Sequence, residues 1–362
     1  MTDKTNKINT SQLCVILLAI FLSMRPIIEN SIQAKFVGND SVITALIAGI
    51  INLGLALLIC YVIHKNPGKS FLDIIKNLTG ETVAKIILFL LGIVFLFKIV
   101  LIDYQITFLL HDSIYTEISW DLFTIPVYFI LAFIAIKGIR AIARTYQMVV
   151  PLSLLMFVAV LLLSLNNANF ENLLPLLDHT PSEFINALTY ILSQSCSFIF
   201  LFTFMENVAY TSKGYYKKII PTILIILILI ESFYILFIAV MGNFAPFVKE
   251  SLIKMTQFRD SSFGYFKIDI FASLFWIPLI ILQDALCVYS ISYCLKQSLN
   301  IPSYISCIGT VLFLYIIEFI PQINNQTVSY IYFEMISFYV LAFVLLLPVL
   351  LVIASFKKEK TK

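Results

Sequence analysis

Five consecutive side chains able to form hydrogen bonds, Ser193, Gln194, Ser195, Cys196 and Ser197, interrupt the apolar stretch from Phe184 to Ala209. They begin nine residues in from Phe184, which at helical rise puts the run roughly 14–20 Å into a hydrocarbon core of about 30 Å. Polar side chains at that depth are expensive in lipid, so the run is expected to face a cavity or to sit where the helix breaks. Two chemistries fit. Small residues are favoured where helices approach closely, which makes the run a packing seam. If the helix unwinds instead, freed backbone N–H and C=O groups join the side chains and form a site for a small zwitterionic or polar molecule. Gln194 argues against packing alone, because its amide must be satisfied.

Other ionisable residues share the membrane depth. Lys98 lies about 18 Å into its span, too deep to snorkel comfortably to the interface, and needs a partner or a cavity. Asp103 follows five residues later, about 140° around the helix, so the two need not share a face. Asp284 and Glu231 are the candidate partners on other spans, and a structural ion pair and a ligand or ion role are both open. Arg25 and Glu29 would share a helical face, but Pro26 makes continuation of the helix doubtful. Arg25 therefore either marks the outer interface or, with Ser23, projects into a pocket and binds an anion. The candidate ligand-binding set is Ser23, Arg25, Lys98, Asp103, Ser193, Gln194, Ser195, Cys196, Ser197 and Asp284.

Enzymatic chemistry is not expected. His64, His111 and His179 are far apart, and there is no zinc-protease helix motif, phosphate-cradling glycine loop or nucleophile elbow. The six cysteines lie within or at the edge of apolar segments without metal-ligand spacing, which reads as free buried thiols. No cofactor or metal is expected, and the basic residues sit in short loops between apolar runs, which gives no sign of a nucleic-acid partner.

These residues need elements to carry them. The chain has 362 residues, 60% hydrophobic and 12% charged, which excludes an ordinary soluble domain and predicts an all-α polytopic membrane protein. Ten spans are expected, beginning near residues 11, 41, 83, 122, 147, 184, 219, 268, 304 and 328, with an amphipathic helix over 70–78 lying on the membrane surface. Of the 24 Lys and Arg residues, seventeen fall in segments on the side of the N-terminus and five on the other, with Arg25 and Lys98 inside spans. That bias places both termini in the cytoplasm. Ten spans form a single transmembrane domain, 1–362, of two five-span halves, 1–183 and 184–362. An odd number per half makes the halves face opposite ways, the condition for an inverted repeat. Spans 1 and 6 are then equivalent and both are interrupted, at Ser23 to Pro26 and at Ser193 to Ser197.

Several short stretches carry a family resemblance. Ile8-Asn9-Thr10-Ser11-Gln12, the loop Asn66-Pro67-Gly68-Lys69-Ser70-Phe71 running on to Leu78-Thr79-Gly80, Asn172-Leu173-Leu174-Pro175-Leu176-Leu177, and the pair Phe275-Trp276 resemble corresponding segments of the endospore germination permease family. This is the B subunit of nutrient germinant receptors, within the amino acid–polyamine–organocation transporter superfamily. The resemblance implies a five-plus-five fold with broken helices 1 and 6. It also implies a small nutrient, often an amino acid, bound between helices 1, 3, 6 and 8. The implied partners are an A-type membrane subunit and a C-type lipoprotein subunit in the inner membrane of the spore, besides membrane lipid. The alternatives are an ion-coupled amino-acid permease, with Lys98 or Asp103 in coupling, and a structural subunit with a dead pocket. One departure is visible: many relatives have a glycine in the span 1 break, whereas this chain reads Phe21-Leu22-Ser23-Met24-Arg25-Pro26.

Overall fold

The computed structural model describes residues 7–23, 29–113, 121–209, 214–248, 251–257, 268–318 and 337–357, with side chains at 104–124, 257–271, 318 and 357 not described. Arg25 lies outside the described residues. The helices are α1 (Thr10–Leu22), α2 (Asn30–Val37), α3 (Ser41–Lys65), α4 (Phe71–Thr79), α5 (Glu81–Ser113), α6 (Asp121–Lys137) and α7 (Ile139–Ser164) in the first half. The second half has α8 (Pro181–Gln194), α9 (Phe200–Phe204), α10 (Tyr215–Met241), α11 (Ser251–Gln257), α12 (Ile268–Leu299), α13 (Ser303–Glu318) and α14 (Ser337–Lys357). There is no strand among the described residues; an isolated parallel bridge joins Ile8 to Val208.

Among the described residues, seven helical stretches are long and apolar enough to cross a membrane. Three shorter apolar helices, Thr10–Leu22, Ile125–Lys137 and Ser303–Ile317, stand where spans 1, 4 and 9 are expected. Large apolar side chains project outward from the bundle, Phe129 of α6 at 76% exposure and Leu155 of α7 at 66% among them. In water that surface would aggregate, whereas against lipid it is the solvated face. The stretch Pro181–Asn207 is the most enclosed: 83% of its apolar window is buried, against 33% for Ile139–Asn167. The polar run at 193–197 thus sits in the centre of the bundle.

Local sequence fixes the entry of each key helix. Asn9 accepts from the Gln12 backbone N–H at 2.8 Å while Gln12 accepts from that of Asn9 at 3.0 Å, a reciprocal cap that starts α1. Just before it, Ile8 N–H donates to Asn207 O and Ala209 N–H to Ile8 O, tying the start of span 1 to the end of span 6. Thr180 and Glu183 cap α8 the same way, with Pro181 in its first turn.

Two expectations change. The polar segment after Glu29, read as an outer loop, is the helix α2, and its Asn30, Ser31 and Gln33 are buried. Helix α4 has the expected face of Phe71, Ile74 and Ile75, but that face packs against α5 and α14 instead of lying on lipid, with Phe71 and Phe202 rings 4.7 Å apart. Its cap is formed by Ser70 and Asp73. Burial acts to raise the Asp73 pKa, yet hydrogen bonds from Lys76 and Ser70 hold it below the usual carboxylate value. The cap is therefore intact above the ordinary carboxylate range and is lost as pH falls through that lowered value.

At the opposite end, Asp40 pins the segment before α8. Its carboxylate accepts from the backbone N–H of Leu177 at 2.5 Å, Asp178 at 3.2 Å and His179 at 3.4 Å, and lies 2.9 Å from His179 Nδ1. Asp40→Ala strands these donors and is expected to cost about 1–3 kcal/mol. The check is hydrogen exchange, in which Leu177 to His179 should lose protection; unchanged protection there sinks the assignment.

Candidate functional site

The span 6 break is built from its own side chains. Helix α8 ends at Gln194; Ser195 has φ −90° and ψ 15°, and Cys196 φ −66° and ψ 51°. Ser197 N–H donates to Ser195 O at 2.6 Å, an inverse γ-turn centred on Cys196. A single 3-10 turn, Ser197–Ile199, then leads into the short α9. The last carbonyls of α8 are taken by the polar run itself: Ser193 Oγ donates to Tyr190 O at 2.7 Å, Ser195 Oγ to Ile191 O at 2.5 Å, and Cys196 Sγ to Ser193 O at 3.3 Å. These residues break the helix and satisfy its orphan carbonyls together.

Gln194 O is taken by Lys98, whose ammonium donates to it at 2.9 Å from α5. A cation at a helix C-terminus meets the negative end of its dipole. Lys98 is 8% exposed, and its ammonium also stands 5.9 Å from the centre of the Phe200 ring. Among the described residues it makes no ion pair, so neither Asp103 nor Asp284 is its partner. Asp103 accepts instead from Tyr128 Oη at 2.5 Å. Asp284 of α12 is fully buried and both its oxygens lack a hydrogen-bond partner, while Asp103 is close enough to act on it electrostatically. Glu231 does not join this group in any described contact.

Cys196 at the span 6 break and Cys287 of α12 are both buried free thiols.

Asn52 and Asn30 escaped the sequence reading, while Ser23 and Gln194 belong to the expected set. Asn52 of α3 donates to Ser195 Oγ at 2.9 Å, and its own carbonyl oxygen has no partner. Asn30, at the start of α2, is 0% exposed and neither atom of its amide is paired. Ser23 Oγ is unpaired as well, while its backbone carbonyl accepts from Trp276 Nε1 at 2.7 Å. Gln194 Nε2 donates to Tyr190 Oη at 3.2 Å. Glu29, Asn30 and Gln33 share a helical face, and that spacing was the available signal.

An unpaired buried polar atom costs about 1–3 kcal/mol, and native proteins keep such atoms few. Here Ser23 follows the end of α1, Asn30 starts α2, and Asn52 bonds to Ser195 at the span 6 break. That arrangement can hold a small polar molecule by hydrogen bonds, with a cation and a carboxylate nearby.

Solved structures share the fold. MhsT in complex with L-phenylalanine matches at a TM-score of 0.59 with 13% identity, over 95% of each chain. Mhp1, a nucleobase-cation-symport-1 family transporter in a closed conformation with bromovinylhydantoin bound, matches at 0.52 with 14% identity, over 98% of this chain and 94% of that one. The fold is thus the LeuT-like transporter fold. In sequence, spore germination protein YndE of Bacillus subtilis (strain 168) is 22% identical over 367 residues, covering 98% of each chain. Since the spore permease pattern of spore germination proteins spans residues 7–328, the chain belongs to the spore germination permease family.

Proposed function

We propose that this protein is the membrane subunit of a spore germinant receptor, which senses a small nutrient, an amino acid, at the breaks of spans 1 and 6 between spans 3 and 8. The observation that carries this reading is the set of buried, unpaired polar groups on Ser23, Asn30 and Asn52, the last bonded to Ser195 at the span 6 break. Buried Lys98 and buried Glu29 supply one charge of each sign, which suits the carboxylate and ammonium of a zwitterion. An ammonium has three donors, and Gln194 O takes one of those of Lys98. The phenylalanine bound to MhsT, on the same fold, supports a ligand of this size.

In this reading ten spans form a five-plus-five inverted repeat, halves 1–183 and 184–362, with both termini on the cytoplasmic side where the basic residues gather. The protein acts in the spore inner membrane beside an A-type membrane subunit and a C-type lipoprotein, and it catalyses no reaction. Ligand binding shifts the balance between two states of the bundle, and the partner subunits read the shift.

The test is thermal unfolding of the purified chain against a panel of amino acids, sugars and inorganic salts. A ligand at one hundred times its Kd stabilises by about 2.7 kcal/mol, so a saturating rise in Tm with one or a few amino acids is expected. A panel without any shift would defeat the reading. The second reading, an ion-coupled amino-acid permease, is favoured by Asp284, a buried carboxyl with neither oxygen paired and thus suited to carry a proton. Uptake of labelled amino acids into vesicles by this chain alone, abolished by Asp284→Asn, would support it over the sensor.

A further inference from the structure

A cavity of about 560 Å³ opens at the basic end of the bundle, away from the nutrient site, between the ends of α6, α9 and α12 and the starts of α7 and α13. Its size is that of a small-molecule site. Lys137, Arg140, Arg144 and Lys296 line it, with Glu206 the one carboxylate among the described lining residues. Charge bias at this end of a membrane protein explains basic residues in the loops. It does not explain why four converge on one cavity.

The backbone contributes too. Helix α7 starts at this cavity behind Gly138, whose φ of +83° is a conformation open to glycine, and no side chain caps its first turn. Ala141 and Ile142 N–H turn back to Gly138 O, leaving the first N–H groups and the positive end of a 26-residue helix for an anion. Arg140 and Arg144 stand one turn apart on the same helix. Independently, Tyr293 lines the cavity beside Glu206; it is 6% exposed and its hydroxyl has no hydrogen-bond partner.

We infer that this cavity binds a phosphate ester of a hydroxylated alcohol: the phosphate meets the α7 start with Arg144 and Lys296, and the alcohol hydroxyls meet Glu206 and the Tyr293 side. Guanidinium groups match phosphate oxygens in pairs, and a dianion balances the excess positive charge better than a carboxylate. Glu206, which would repel an anion, accepts from a hydroxyl. The Lys137 ammonium, 5.3 Å above the exposed Phe133 ring, sits at the lipid-facing rim. The same chemistry is presented by a phosphatidylglycerol headgroup and by free glycerol 3-phosphate.

The experiment uses the full chain in phosphatidylcholine nanodiscs. In one arm phosphatidylglycerol replaces part of the lipid; in the other glycerol 3-phosphate is added in solution, with sodium chloride at matched ionic strength as the reference. A saturable rise in Tm in either arm supports the site: a rise with the lipid alone assigns a headgroup, and a rise with the soluble ester assigns a metabolite-like ligand. Arg144→Gln, at an exposed position that should leave folding intact, is expected to weaken binding at least about tenfold, the scale of one lost charge-assisted contact. Arg144→Lys should recover part of it. No rise in either arm, an equal rise with chloride, or an Arg144→Gln response equal to the unaltered protein overturns the inference. The nutrient panel is read separately, so failure here leaves the site at the helix breaks untouched.

Discussion

Ser195→Trp is expected to leave the chain in the membrane but abolish amino-acid stabilisation. Ser195 is 2% exposed, and its hydroxyl accepts from Asn52 and donates to Ile191 O. An indole at this place overpacks the turn centred on Cys196, at a cost of about 1–3 kcal/mol. It also strands the Asn52 amide, whose carbonyl is already unpaired. The bulk then fills the span 6 break beside Asn52, and ligand affinity should fall by more than about tenfold, or ~1.4 kcal/mol. Ser197→Leu should act in the same direction. Because Ser195→Trp carries a folding risk, Ser195→Ala separates the effects: it removes only the hydroxyl, so the protein should fold and bind the amino acid more weakly. Variants that respond normally at normal abundance would move the pocket elsewhere.

Lys98→Met should remove ligand response with little loss of stability. Methionine has similar length and no charge to desolvate, and replacing a buried charge by a hydrophobe is often neutral or stabilising. Opposing this, Gln194 O loses its donor and the C-terminus of α8 its cation. A hydrogen bond to a charged group is worth about 1.5–3 kcal/mol, so the two effects nearly offset in folding. They do not offset in binding, where the carboxylate of the ligand loses its counter-charge; a loss of about a hundredfold in affinity is expected. Equal Tm shifts for Lys98→Met and the unaltered chain would make Lys98 a helix cap and nothing more. If Lys98→Met fails to accumulate, Lys98→Arg decides the question, since it retains the charge while changing its reach.

Much of the site was written in local sequence. The run from Ser193 to Ser197 gave the span 6 break because serine and cysteine side chains bond to carbonyls three or four residues back on their own helix, and so end it without outside help. The capping residues Asn9 and Gln12, Ser70 and Asp73, and Thr180 and Glu183 fixed three helix starts within four residues each. The depth of Lys98 was legible from hydropathy alone.

Hydropathy misread polar residues that face the protein interior. In its span count it left residues 30–40 outside the helices, between spans 1 and 2, although a helix lining a site has reason to be polar on its inner face. It also laid α4 on the membrane, because an apolar face has the same period whether it meets lipid or protein. Sequence by itself determined a chain of apolar helices with an interruption in span 6. Tertiary structure alone decided that Asn52 holds Ser195, that Lys98 caps α8 instead of pairing with an aspartate, and that Trp276 holds the end of α1. Those contacts join residues about a hundred or more positions apart, and nothing in local propensity or periodicity distinguishes one partner helix from another. The choice follows from how the helices pack, where each buried polar group must find its partner within reach.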